Sequence, residues 1–495
     1  MKPHNLLLIF AFAFLSSGIY LLYSAGTYRL GFPLDDAWIH QTYARNFAYG
    51  EGWSFEAGRP SGGATAPLWT FLLSFGYWLG LPALFWTFLL GIGFYAGVGI
   101  LAFQVFQRLS PSLGWSGLFF LLEWHFVWAS VSGMETILAI FLIMVVYVFL
   151  RSGKIGWGLA VFLAAGVWIR PDLLSLSFPA LVGVLVSHRN GLKDTFKNIF
   201  PFILIGFSFI AYCFFNLKVS GAWFPTTFYA KQAEYMELRS LPFLYRLWQQ
   251  ASIALVGGGI LFIFGFIFQA YVFVKNQAWQ GLAWIGWYLL MLTIYAMRLP
   301  VTYQHGRYMM PATVVYYLIG LEGSIDLWSR LSPNRGTAWI IARAGGLSWV
   351  IITLAFWVLG AQAFARDVQL IETQMVETAK WAENYLPANS RIAVHDIGAM
   401  GYFTSHEIID LAGLINPEVI PFLRDESRLA DYLDQNQVDY LICFPQWYPD
   451  LTSNLAVIHT ADSVVVQAYG ELPMTIYRWR LNNFIIDLRK GIRTQ

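Results

Sequence analysis

Apolar stretches near 84–107, 114–131, 133–150, 155–170, 172–187, 199–217, 252–274, 278–297, 307–325 and 346–365 constrain this chain more than any other feature. They are long enough to cross about 30 Å of hydrocarbon. In hydrocarbon a spanning segment satisfies its backbone N–H and C=O groups internally, so these stretches read as membrane helices. The run Leu6–Leu22 follows Met1-Lys2 as the apolar region of a signal peptide would. More apolar segments follow and no small-residue cleavage site stands out, so it reads as an uncleaved first span. That makes about eleven spans. Composition agrees: of 495 residues, 57% are hydrophobic and 12% charged, outside the range of soluble domains. Trp and Tyr gather near the ends of the runs, where rings sit at the headgroup level.

The stretch Pro67–Leu81 is short and opens on a proline, so it reads as an interfacial or re-entrant helix that does not cross. Basic residues in short loops favour the cytoplasmic side, which tests this parity. With the N-terminus inside, the inner loops hold Lys2, Arg108, Arg151, Lys154, Arg189, Lys193, Lys197, Lys275, Arg330, Arg335 and Arg343, with little acid beside Asp194. The outer loops hold Asp35, Asp36, Glu51, Glu56, Glu135, Asp172, Glu234 and Glu237. A crossing at 67–81 would reverse this bias.

After Ala365 the chain turns to mixed polar and apolar residues with short β-branched runs. Arg391–His395, Glu407–Leu411, Val438–Phe444, Ser463–Ala468 and Met474–Leu481 read as strands, and 370–386 and 426–436 as helices. The expected architecture is a polytopic α-helical membrane domain, 1–365, with an outer loop over 27–83. A small extracytoplasmic α/β domain, 366–495, follows it. The net charge of +2 comes with no basic stripe, so nucleic acid is not an expected partner. Cys213 and Cys443 lie in segments too different to suggest a disulfide.

The loop GFPLDDAWIHQTYARNFAYGEGWSFEAGRPSGGATA, 31–66, is too long to be a passive connector. Asp35, Asp36, Ile39, His40, Tyr43 and Arg45 fit a short helix opening at Asp35, followed by a Gly-rich segment. Two acids at a helix start can be caps that complement the helix dipole. They can also supply a general base that takes the proton of an attacking hydroxyl, with the second acid orienting the first, binding an acceptor or holding a divalent cation such as Mg or Mn. Asp36 and His40 share a helix face at i and i+4.

The other outer loops carry Glu135 in SGMET, Arg170 and Asp172 in IRPD, Lys231 in FPTTFYAK, and Arg298, His305, Arg307 and Tyr308 in MRLPVTYQHGRY. Charges near membrane depth line cavities, pair with each other or meet substrates. Arg and Lys suit a lipid-carried phosphate. The plainer reading pairs Arg170 with Asp172 or Glu135. Glu123 and His125 fall inside the expected span 114–131, where a structural hydrogen bond accounts for them as well as a function does.

These residues carry a resemblance. PLDDAWIHQTYARNFAYGEGWSFEAGRPSGGATAPLWTFLL resembles the first extracytoplasmic loop of GT-C glycosyltransferases, in the bacterial branch of arabinofuranosyltransferase-like and mannosyltransferase-like enzymes. SGMET, IRPD, FPTTFYAK, HGRYMMPA, DIGAMGYF and IIDLAGLINPE are similar to segments of that branch in the same order. The resemblance implies a multi-pass enzyme of the plasma membrane. It would transfer a sugar, with inversion, from a polyprenyl-phosphate donor to a glycan, lipid or protein acceptor on the outer face. It gives the base to Asp35 or Asp36, with Asp35 matching the family's first acid. Arg170, Lys231, Arg298, Arg307 and Tyr308 fall to the donor's phosphate. His40, Tyr43, Arg45, Glu135, Asp172, His305, Asp396 and Asp410 fall to substrate contacts. Several relatives have Glu where this chain has Asp172. The rival class is a transporter or flippase of a lipid-linked or polar substrate, which places its polar groups near the midplane, often in repeated halves. No such repeat is evident, and the charges gather at one face. A non-catalytic membrane scaffold would leave the acid pair unexplained.

Overall fold

The structure, a computed structural model, describes residues 1–187, 199–331, 336–467 and 470–480. Arg189, Lys193, Asp194, Lys197 and Arg335, which entered the charge comparison, lie outside the described residues, as do the last residues of two expected strands, Ala468 and Leu481. The chain divides into two compact units. The first comprises Met1–Leu30, Thr65–Phe224 and Tyr235–Arg366, and the second Gly31–Ala64, Pro225–Glu234 and Asp367–Gln495.

The first unit is almost wholly helical. Among the described residues, six helices are long and apolar enough to cross a membrane: Pro3–Thr27, Ala83–Gln107, Phe200–Ser220, Gly258–Lys275, Trp279–Arg298 and Trp339–Tyr385. The last of these runs on into the second unit's sequence. Thr136–Arg151, Trp157–Ile169 and Pro171–Val186 are shorter apolar helices. The Pro67–Trp78 helix has 12 residues, short of the ~20 that spanning needs.

The expected span 114–131 is not one α-helix. Pro111–Leu121 winds as a 3-10 helix, and a separate helix, Trp124–Ser130, begins after Glu123. Hydropathy does not register the cause: Glu123 is an N-cap whose Oε2 accepts from Phe126 N at 3.1 Å, so the chain restarts a helix there. Its Oε1 lies 2.7 Å from His125 Nδ1. Gly117 permits the preceding segment to lie against the Ala83–Gln107 helix, since a Cβ there would come within 2.7 Å of Phe103 N. A bidentate pair from Arg151 to Glu322, at 2.7 and 2.8 Å, ties the Thr136–Arg151 helix to the Met310–Leu331 helix.

In the second unit, β1 (Ser54–Glu56) and β2 (Arg59–Pro60) form a small antiparallel hairpin. The remaining strands, β3 (Arg391–Val394), β4 (Glu407–Asp410), β5 (Tyr440–Cys443), β6 (Ala456–Thr460) and β7 (Thr475–Arg478), make one sheet in the order β4-β3-β5-β7-β6. β3 runs parallel to β4 and β5, while β7 is antiparallel to β5 and β6. Leu411, Val419, Leu429, Leu433, Val438, Leu441 and Cys443 pack the core. Strands form where expected at 391, 407, 440 and 475. The expected strand at Ser463–Ala468 is instead a helical turn, Val464–Gln467, because the Asp462 side chain accepts from Val464 N at 3.0 Å and starts it. The strand beside it is Ala456–Thr460, whose mostly exposed residues give no buried-face alternation to read. Both cysteines are free and buried.

Candidate active site

The acid pair opens the Asp36–Ala48 helix, as its spacing predicts, but the first acid does not cap that helix. Asp35 holds the N-cap position with αR backbone and no side-chain cap hydrogen bond. Its carboxylate reaches the Ile397–Phe403 helix of the same unit, where Oδ2 accepts from Gly398 N at 2.6 Å and Oδ1 from Ala399 N at 2.8 Å. These are the N2 and N3 amides that a capping side chain normally serves. Asp396, which holds the N-cap position of that helix, makes no such bond. Gly398 is required, since a Cβ there would collide with the Asp35 carbonyl oxygen. Arg45 closes the far end of the same helix, donating from Nη1 to Tyr402 O at 2.7 Å and from Nη2 to Gly401 O at 3.1 Å. An anion at the N-terminus and a cation at the C-terminus both match the helix dipole.

The two acids therefore differ in access. Asp35 is 8% exposed with both oxygens engaged, whereas the Asp36 side chain is 27% exposed and pairs with Lys231 Nζ at 3.2 Å. Lys231 comes from the Thr226–Glu234 helix, held by the Thr226 hydroxyl donating to Leu414 O. Glu234 lies three residues on, and so on the same face. Its Oε1 is 3.7 Å from His395 Nε2, and His395 Nδ1 is 2.6 Å from the Tyr448 hydroxyl.

Burial dominates the electrostatics. It pushes Asp35 up to about 8, helped by the facing charge of Asp396 and opposed by the two backbone N–H donors. Burial also raises Asp396 to about 6, against the pull of His395, and its Oδ2 has no hydrogen-bond partner among the described residues. Asp410 is likewise pushed up to about 6 by burial. Burial alone would lower His395, but Glu234, Asp396 and Asp410 raise it above its ordinary value.

Several expected substrate contacts are structural here. Asp410 is 0% exposed and accepts from Ala412 N and Ile415 N, each at 2.7 Å, which shapes the loop after β4 and leaves no surface for a sugar. Tyr43 is buried, 2.6 Å from the Ser61 hydroxyl, and accepts from Gly63 N, so it orders the loop after the hairpin. His40 is buried within its helix. Glu234, His395 and Tyr448 are not among the site residues expected from the sequence. The i, i+3 spacing of Lys231 and Glu234 was the available signal.

In the first unit, Arg170 is committed to Asp172, as the plainer reading had it. Nε donates to Oδ1 at 3.1 Å and Nη2 to Oδ2 at 3.0 Å, and Nη2 also reaches Tyr295 OH at 2.5 Å and Tyr308 O at 3.0 Å. Tyr295 donates to Asp172 Oδ2. Glu135, 8% exposed, adds its charge to the surroundings of Arg170. Arg307 is buried and donates to Tyr308 OH at 3.0 Å, with its guanidinium over that ring. Arg298 ends its helix with an exposed side chain. Just before Arg307, Gln304, His305 and Gly306 take successive left-handed conformations, with φ of 54°, 58° and 69°. That backbone costs about 1–2 kcal/mol for each non-glycine residue and concentrates at functional sites. The His305 ring is held edge-on to Trp124 and Trp128 at 5.2 and 5.4 Å.

The acid pair does not present a ready cation site. Among the described residues no group of three or more His, Cys, Asp or Glu side chains is placed to hold a metal, and the Asp35 oxygens are taken by N–H donors.

The chain has the fold of the GT-C membrane glycosyltransferases, which bears out the resemblance read from its outer loop. It is a mostly helical membrane protein with a small C-terminal sheet region. ArnT from Cupriavidus metallidurans in the apo state superposes with a TM-score of 0.59 at 12% identity, over 95% of this chain and 97% of that one. The Archaeoglobus fulgidus oligosaccharyltransferase in complex with Zn and sulfate gives a TM-score of 0.53 at 9% identity, over 87% of this chain and 68% of that one. The arabinofuranosyltransferase AftD from Mycobacteria gives 0.52 at 14% identity, over 97% of this chain and 42% of that larger one. Residues 365–481 match a family described as a domain of unknown function, DUF8728. No curated protein sequence matches the chain.

Proposed function

We propose that this protein is an inverting glycosyltransferase that moves a sugar from a polyprenyl-phosphate donor to a glycan, lipid or protein acceptor at the outer face of the plasma membrane. Its N-terminus is then cytoplasmic and its C-terminal domain extracytoplasmic, as the loop charges favour. The observation that carries this reading is the contrast within the acid pair: one carboxylate is buried as a structural cap, and its neighbour is accessible beside a lysine. ArnT, which shares the fold, is known in a structure bound to undecaprenyl phosphate with a TM-score of 0.53, which supports a lipid-phosphate donor.

In this reading Asp36, rather than Asp35, is the base. It takes the proton of the acceptor hydroxyl as that oxygen bonds to the anomeric carbon, and the bond from that carbon to the phosphate oxygen breaks on the opposite side. The electron pair leaves with the polyprenyl phosphate, and Asp36 afterwards releases its proton to water. Lys231 holds the Asp36 carboxylate in place. Arg298, Arg307 and Tyr308 remain assigned to the donor's phosphate and His305 and Asp396 to substrate contacts, while Arg170 and Asp172 brace the surrounding structure. No step is routed through a metal.

The test incubates purified protein with a panel of radiolabelled polyprenyl-phosphate sugars and envelope glycan acceptors. Asp36→Asn is expected to lower transfer by about 10²–10⁴-fold, the usual contribution of a positioned base. Asp35→Asn is expected to keep a larger share of the rate. Full transfer in Asp36→Asn removes the assigned base, and no transfer from any donor in wild type removes the enzyme reading.

A further inference from the structure

The second unit holds a polar cavity of about 440 Å³. It is lined by residues from the later part of the Asp36–Ala48 helix, the β1–β2 hairpin, the turn at Asn389 and the segment entering β4. Arg45 follows Asp36 by nine residues, so at 1.5 Å per residue the cavity begins about 14 Å along the helix from the proposed base. A single sugar ring held at Asp36 does not extend that far.

The lining is charge-balanced. Arg59 Nη1 bridges Glu56 at 3.0 Å and Glu407 at 3.2 Å, and Arg45 is the second cation. The Arg59 side chain is 68% exposed and uses only Nη1 in these pairs, which leaves Nε and Nη2 to donate to a ligand. Asn389, exposed at a left-handed turn with φ 65°, makes no side-chain hydrogen bond among the described residues. His406 has a side chain only 2% exposed, and its Nδ1 has no hydrogen-bond partner among the described residues. Behind the lining, Arg391 Nε also pairs with Glu407 at 2.9 Å and Glu383 accepts from Ser405, so three cations stand against three carboxylates and give no net attraction to a charged ligand. Planar amide, guanidinium and carboxylate groups suit adjacent hydroxyls, each of which donates and accepts.

A peptide fits less well. β4 is an edge strand, the usual place for an added strand. Its Ile408 N and Asp410 N, however, already donate to Glu56 Oε1 and Asn416 Oδ1, each at 3.0 Å. The edge is closed by Asn416 and by Glu56, which also lines the cavity.

We propose that this cavity is a subsite for an uncharged oligosaccharide, the part of the acceptor beyond the sugar that reacts. The proposal rests on the glycosyltransferase reading and narrows its acceptor to a neutral glycan. The test uses the full-length protein in nanodiscs without donor, titrated by calorimetry with neutral manno- and arabino-oligosaccharides from monosaccharide to hexasaccharide, with oligogalacturonate and an unstructured peptide as comparisons. Affinity is expected to rise with chain length for a neutral series. Arg59→Ala, at an exposed position, and Asn389→Ala are expected each to weaken the longest ligand by about tenfold, as loss of a charge-assisted or amide hydrogen bond does, without changing the melting temperature. Preference for the acidic sugar or the peptide, no saccharide binding, or binding indifferent to both substitutions overturns the subsite. Because no donor is present, saccharide binding that persists while every transfer assay fails would count against the glycosyltransferase reading and not against the cavity.

Discussion

The two units treat buried charge in opposite ways. In the first, two buried or half-buried cations are set against carboxylates, Arg170 with Asp172 and Arg151 with Glu322. In the second, carboxylates outnumber cations. Asp35 and Asp410 lean on backbone N–H groups, Asp396 keeps one oxygen without a partner, and His395 is shared among several acids. Balanced pairs build a scaffold. An excess of one sign, held in place by the backbone, raises pKa values and concentrates where proton chemistry is done.

The largest effect that would sharpen this contrast is expected in the first unit. Asp172→Ala leaves Arg170 buried with its main counterion gone, at a cost of about 3–5 kcal/mol. Thermal melting of the purified protein should show a large loss of stability even where transfer is measured below the transition. A variant that melts like wild type would mean that Arg170 finds another anion and is not the closed brace that its geometry describes.

The next effect belongs to the second unit and concerns pH. Asp35, Asp396, Asp410 and His395 all have folded pKa values raised above their ordinary ones. The folded state therefore keeps protons that the unfolded state releases. Stability from this source is present at low pH and is lost as pH rises, from about 4, where free carboxyls titrate, through about 6 for Asp396 and Asp410 and about 8 for Asp35. Each proton held only by the folded state changes stability by about 1.4 kcal/mol per pH unit. Melting temperature should fall between about pH 5.5 and about pH 8.5, the upper part of this titration range. A flat profile would mean that the acid excess is compensated.

Much of this was legible beforehand, and the limits have physical causes. Apolar runs mark helices because hydrocarbon leaves the backbone no other partner, and the Asp35 helix start was readable from local spacing. The break at Glu123 was not, because one capping side chain outweighs the hydropathy of its neighbours. Nor was the grouping of 31–64 and 225–234 with the C-terminal segment, since that pairing is written in side chains hundreds of positions apart. Asp35 looked like a cap and is one, but for the helix that begins at Ile397. Sequence alone could not reveal that target, and without it the two acids looked interchangeable.

Asp35→Asn separates the charge of that cap from its shape, and the smallest effect is expected here. Asn keeps one oxygen to accept from Gly398 or Ala399, but its amide faces the other N–H, so one hydrogen bond is lost, at about 1–2 kcal/mol. The substitution also removes a carboxylate that burial and Asp396 disfavour when charged. The two terms oppose each other, so the net loss should be about 1 kcal/mol or less near neutral pH. As pH rises the charge becomes the greater burden in wild type, so the variant should close the gap and lose the part of the slope due to Asp35, keeping that of His395. Melting curves of both proteins across this range decide the matter. A gap that stays constant with pH would mean that the two backbone N–H donors outweigh burial and that Asp35 is ionised throughout this range.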